Sequence, residues 1–180
     1  MTEFQDFPKM PRWSRKVIVT EKIDGTNAQI FIGEDGEFLT GSRTRWITPE
    51  QDNYGFSAWA HQNKEELMKL GPGRHFGEWW GAGIQRRYGL EQKVFSLFNV
   101  SRWTPETLPA CCSVVPILFQ GSMDDLNVSL LLSKLEQFGS VAAPGFNDPE
   151  GIVIYHVAGG FGFKKTIKKD EVPKSFQQAA

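Results

Sequence analysis

Glu21-Lys22-Ile23-Asp24-Gly25-Thr26-Asn27 is the stretch on which the reading of this chain turns. Val17-Ile18-Val19 ahead of it reads as a buried strand, and Asp24-Gly25 as the tight turn that ends that strand. The run from Asn27 to Ile32 then alternates polar and apolar residues as a second strand does. Lys22 thus falls at the end of an apolar strand, on the lip of a glycine turn. A lysine held there is part-screened from water, which lowers its pKa from about 10.4 toward values where the free amine exists. A free amine is a nucleophile, and the α-phosphate of a nucleoside triphosphate is one natural target. A surface lysine beside a hairpin has the same local pattern, since Asp24, Gly25 and Asn27 are favoured turn residues in any setting.

Outward from this stretch, strands are expected at 16–21, 27–32 and 37–40, with Glu34-Asp35-Gly36 as a hairpin turn. A helix is expected from Ser57 to Leu70, ended by Gly71-Pro72-Gly73. Strands follow near 75–80 and 93–100. Ser122-Met123-Asp124-Asp125 has the form of a capping box, and Leu126, Leu130, Leu131, Leu135 and Phe138 recur at helical spacing up to Gly139. Strands near 151–156 and 161–168 complete the pattern. Mixed strands with two longer helices argue an α+β fold built around antiparallel sheets.

A chain of 180 residues suits one domain, 1–180, with a sizeable core. With 40% hydrophobic and 23% charged residues, its composition is that of a globular protein. No apolar run approaches a membrane span, and the acidic, proline-containing start is no signal peptide. Cys111 and Cys112 are adjacent and cannot staple a long loop, which fits a reducing cytoplasm. His61, His75 and His156 form no metal-ligand spacing with them, and there is no Gly-rich phosphate loop ending in Gly-Lys. A net charge of −1 does not advertise nucleic-acid binding. The cations are nevertheless clustered, at Arg43 with Arg45, Arg86 with Arg87, and among Lys164, Lys165, Lys168 and Lys169. Such runs are either solvated faces or a local basic track for phosphates.

Lys22-Ile-Asp-Gly-Thr-Asn27 resembles the nucleotidyl-lysine motif of ATP-dependent polynucleotide ligases and capping enzymes. Gly41-Ser-Arg-Thr-Arg45 looks like the arginine element that follows it, and the run Phe76 to Gln85 like the third motif. Phe95 to Val100 looks like the short strand after that, Pro149 to Ile154 like the fourth motif and Gly162 to Ile167 like the fifth. The ordered set is most similar to the RNA-repair ligases typified by the second class of phage RNA ligases. That resemblance implies a nucleotidyltransferase (adenylation) domain with ATP held between two antiparallel sheets. It implies the chemistry of an ATP-dependent RNA ligase: a lysyl–AMP at Lys22, transfer of AMP to a 5′-phosphate end, and sealing to a 3′-hydroxyl.

By the same resemblance Glu21 would help define adenine recognition, Thr26 and Asn27 would lie by the ribose or phosphate, and Asp24 and Gly25 would belong to the same cofactor-binding set or else be plain turn residues. Glu78 would accept from the ribose hydroxyls; its alternative is the solvent face of a strand. Phe98 would stack on adenine, with Phe95 as competitor and core packing open to both. Arg43 would pair with a phosphate or the ribose. Glu150 would hold magnesium or its water shell, or else be a turn residue. Lys164 would stabilise the departing pyrophosphate. Where related ligases show Lys-x-Lys, this chain has Thr166 at the second position, so Lys165 or Lys168 would supply the missing charge. Asn27, where DNA ligases and capping enzymes commonly place arginine, favours RNA over DNA. Only about a dozen residues follow the fifth motif. The expectation is therefore one domain without a separate C-terminal one, acting alone or with a partner protein. A minimal DNA nick-sealing ligase and a non-catalytic nucleic-acid or nucleotide-binding module are the alternatives.

Overall fold

The computed structural model describes residues 2–172. Strands β1 (Lys16–Lys22), β8 (Ile117–Ser122), β9 (Gly151–His156) and β10 (Phe161–Thr166) form an antiparallel sheet in the order β10-β9-β1-β8. The second sheet runs β4-β3-β2-β5-β6-β7, from β2 (Thr26–Ile32), β3 (Phe38–Gly41), β4 (Trp46–Ile47), β5 (Gly73–Gly81), β6 (Lys93–Leu97) and β7 (Ser113–Val114). All its pairings are antiparallel except β6 with β7. The fold is α+β.

Strand β1 is central because Val17, Ile18 and Val19 bury both of its faces, at 0–4% exposure. Its inner row, Val17 and Val19, packs with Ile152 and Ile154 against Leu131 and Leu135 of helix α3 (Val128–Phe138). The larger sheet buries Ile30, Ile32, Trp79, Phe95 and Leu97 against α1 (Phe56–Gln62) and α2 (Lys64–Leu67). Each such side chain contributes about 1.5–3 kcal/mol when fully buried. A third cluster, Ile23, Trp80, Tyr88, Val115 and Ala143, packs the residue after Lys22 against Trp80 of β5.

Four features differ from the sequence expectation. β1 and β2 do not form a hairpin: they belong to different sheets, and Ile23-Asp24-Gly25 carries the chain across. The expected helix 57–70 is broken at Asn63, whose side-chain amide donates to the Trp59 carbonyl (2.8 Å) and competes with the helical ladder. Its start is fixed by Asp52, which accepts from the backbone of Ser57 (2.8 Å) and Ala58 (2.9 Å). Ser122 caps only a short 3₁₀ turn, 123–125; Leu126 is extended, and Asn127 caps α3 by accepting from Leu130 N (2.9 Å). Strand β8 has no counterpart in the sequence reading, since its Ile-Leu-Phe-Gln-Gly-Ser run neither alternates nor is fully buried.

Candidate active site

Lys22 ends β1 where the two sheets meet. Its ammonium lies 2.5 Å from Glu150 Oε2, and the two side chains are 21% and 3% exposed. The amine is part-buried, and a buried carboxylate faces it. Register explains the neighbours. Lys22 pairs with Gly151, which pairs with Thr166; Thr20 pairs with Val153, which pairs with Lys164. Paired residues share a sheet face, so Lys164 stands on the Lys22 face, one row along. Gly151 is required there, since at φ 155° a Cβ would lie 2.1 Å from the Lys165 carbonyl oxygen.

Across the junction, Glu78 of β5 accepts from Gly25 N (3.0 Å) on one oxygen and from Asn27 Nδ2 (3.2 Å) on the other. Burial pushes its pKa up to about 7, and neighbouring Glu150 and Asp24 add to the rise. Lys22 and the Gly25 amide pull the other way. Gly25 can approach this closely only without a side chain, because a Cβ would sit 2.4 Å from the Trp79 carbonyl and 2.7 Å from Trp80 Cβ. Asn27 and Glu78 are cross-strand partners, as are Glu78 and Ser96. Phe98, which donates its N–H to the Phe76 carbonyl (3.0 Å), continues the same face and is 40% exposed. Phe95 is fully buried on the opposite face against Phe56 and Trp59, so Phe98 is the ring available to a ligand.

Other expected residues lie elsewhere. Glu21 points to the α3 side, 1% exposed, and accepts from Ser140 Oγ (2.6 Å), Val141 N (2.8 Å) and Ala142 N (2.9 Å). It fastens the segment after α3 and has no oxygen turned to the Lys22 face. Thr26 shares the Trp79 face and accepts from Asn53 Nδ2 (3.0 Å), away from Glu78. Lys165 is on the opposite face of β10 from Lys164 and pairs with Asp170 (2.8 Å). Arg43 is exposed in the turn between β3 and β4.

Asp24, 6% exposed, belongs to a network absent from the sequence reading. Its backbone N–H donates to the Tyr88 hydroxyl (2.7 Å), and its carboxylate accepts from Arg86 Nε (3.0 Å). Arg86 Nη1 also reaches Asp148, at the backbone carbonyl (2.9 Å) and the carboxylate (2.6 Å), and Lys168 closes on the same carboxylate (2.7 Å). Arg86 thus ties the turn after Lys22 to the loop that carries Glu150. The only sequence signal was the pair Arg86-Arg87, which looks like any basic dipeptide; its partners lie 62 residues away on either side.

A sequence model for RNA ligase matches residues 15–169, which span every element from Lys22 to Lys168. The chain belongs to the RNA ligase family. No curated protein matches it. Among solved structures it is similar to a Naegleria gruberi RNA ligase mutant with ATP and Mn, at TM-score 0.63 and 21% identity, covering 88% of this chain and 52% of that one. A mutant of the Naegleria gruberi enzyme with AMP and Mn gives TM-score 0.62 at 19% identity, covering 93% and 52%. An apo mutant gives 0.61 at 20%, covering 93% and 52%. At these identities the likeness establishes the fold, and this chain spans about half the length of the structures it matches.

For an RNA ligase family member the donor set also bears on a metal. Magnesium keeps several waters and is commonly held by one or two carboxylates plus phosphate oxygens. Glu150 and Glu78, 2% and 8% exposed, are buried carboxylates at the Lys22 junction, and among the described residues no group of three or more ligating side chains forms a cage. Glu150 and Glu78 are thus the carboxylates at this junction that could hold such an ion.

Proposed function

We propose that this chain is an ATP-dependent RNA ligase working through a covalent lysyl–AMP at Lys22. The observation that carries the proposal is the Lys22–Glu150 contact of 2.5 Å at the meeting of two sheets, with Lys164 on the same face and Glu78 and Phe98 on the other sheet. An amine must lose a proton before it attacks, and Glu150 is within reach to take it. Lys22 Nζ then bonds to the α-phosphorus while the α–β phosphoanhydride breaks and pyrophosphate leaves, its charge met by Lys164. Glu150 would help hold a magnesium ion, which would supply further neutralisation of that charge.

In the second step an oxygen of the RNA 5′-phosphate attacks the same phosphorus. The P–N bond breaks, Lys22 recovers its proton, and AMP is now carried by the RNA end. In the third, the 3′-hydroxyl attacks the 5′-phosphate, AMP leaves and the phosphodiester forms. Phe98 gives adenine a ring to stack on, and Glu78 gives the ribose an acceptor. Asn27 orients Glu78, and Arg43 reaches a phosphate from the β3–β4 turn. Separating the reaction this way lets one activated phosphate serve two displacements.

The test is end-joining with a labelled 5′-phosphate strand, ATP and magnesium, on matched all-RNA, all-DNA and mixed nicks and on free single-strand ends. A joined RNA product supports the proposal. Joining confined to DNA refutes the substrate assignment. Adenylated RNA that accumulates unsealed would mean that a partner protein completes the third step.

A further inference from the structure

The open face of the larger sheet continues beyond the residues assigned to ATP. Next to Phe98 stands Phe76, 52% exposed, and one row further Arg74 lies opposite Phe31. The Arg74 guanidinium is stacked over two rings, 5.1 Å from the Phe31 centroid and 5.2 Å from that of Trp46, which is itself 44% exposed. Such stacking orients a planar cation and leaves its N–H edge free for an anion. Arg74 also donates to Gln29 Oε1 (3.3 Å), and Gln29 Nε2 donates to the Ser42 carbonyl (3.2 Å). Gly41 makes this crossing possible, since a Cβ there would lie 2.7 Å from Gln29 Cγ. The bridge fastens Arg74 to the turn that presents Arg43 and Arg45, both exposed.

From these observations we infer that this strip binds the unpaired bases and phosphates of an RNA strand next to the end being joined, with bases on Trp46 and Phe76 and phosphates on Arg74 and the Arg43–Arg45 turn. The inference rests on the proposed RNA-joining reaction. Two features select this occupant. The strip is continuous with the Glu78–Phe98 face, so a strand whose end lies at Lys22 can leave across it. It also alternates exposed ring planes with guanidinium groups, the combination that single strands use for affinity without sequence preference. Paired bases, already stacked on one another, offer no free faces to Trp46 or Phe76.

The experiment measures fluorescence anisotropy of a short fluorescein-labelled single-stranded RNA and of a blunt RNA duplex, over a series of salt concentrations. The proteins are the parent, Trp46→Ala, Arg74→Gln and Arg74→Lys, each also scored for AMP adduct on intact mass. Trp46→Ala is expected to weaken single-strand binding about tenfold and to leave duplex binding unchanged. Arg74→Gln should weaken it similarly and reduce the slope of log K against log salt by about 0.7, and Arg74→Lys should restore that slope without restoring the full affinity. All three variants are expected to form the adduct. Unchanged single-strand affinity in both Trp46→Ala and Arg74→Gln overturns the inference, as does equal weakening of the duplex. With the adduct intact, that result leaves the lysine chemistry standing. A parent that forms no adduct, yet shows the Trp46 and Arg74 effects, removes the proposed reaction and keeps the RNA surface.

Discussion

Glu78→Gln should make the protein more stable at alkaline pH while impairing its chemistry. Glu78 is 8% exposed, and burial raises its pKa from 4.5 to about 7. The sign follows from proton linkage. Between these values the folded state holds a proton that the unfolded state has released, so stability falls as pH rises through that window. Below 4.5 both states are protonated and the cost vanishes; above about 7 it is complete, at about 3 kcal/mol. Glutamine carries no charge at any pH, so it escapes this cost. It keeps one acceptor for Gly25 N and loses the second carboxylate oxygen, which accepts from Asn27, at a pH-independent penalty of about 1 kcal/mol. The variant should therefore gain about 2.5 kcal/mol relative to the parent between pH 5 and pH 8. In a chain of this size that is a relative Tm gain of about 5–10 °C. Thermal melts of both proteins across that range measure it directly. A Tm difference that does not change with pH would refute the assignment of a charged, desolvated Glu78.

Three further outcomes are expected. Glu21→Gln places an amide among donors from Ser140, Val141 and Ala142 and should cost about 2 kcal/mol, seen in urea melts, with no change in the preference for ATP over GTP; altered selectivity at full stability would instead return Glu21 to adenine recognition. Gly25→Ala forces a methyl against the Trp79 carbonyl and Trp80, both residues being 2–3% exposed, so it should destabilise by about 3 kcal/mol and abolish labelling by ATP. Arg86→Ala removes the guanidinium between Asp24 and Asp148. With Asp148 half exposed the loss should be about 2 kcal/mol, and the rate of AMP labelling should fall more than in Arg86→Lys.

The parts of the fold legible in sequence are those whose signal is local. Val17-Ile18-Val19 is apolar because both faces of β1 are covered, and the alternation in 27–32 survives because only one face of β2 is. What is decided by distant partners was not legible. The Ile23-Asp24-Gly25 turn looks the same whether it closes a hairpin or crosses between sheets; Trp79 and Trp80 make it a crossing. Lys22, Glu78, Glu150 and Lys164 could be named from their motifs, whereas bringing Lys164 to Lys22 depends on the register of β1, β9 and β10, and bringing Glu78 depends on the Gly25 crossing into the other sheet. Lys165 and Thr26 show the limit of naming by motif, because a one-residue step along a strand reverses the face a side chain takes. In sequence Arg86 reads only as half of a basic pair and Tyr88 carries no signal, since their role is to hold Asp24 from far along the chain.

The covalent step is open to a direct measurement: intact-protein mass after incubation with ATP and magnesium, following removal of any bound AMP with pyrophosphate, for the parent and Lys22→Ala. The account requires an added AMP on the parent and none on the variant. An adduct that persists in Lys22→Ala, or a parent that acquires none, would contradict it.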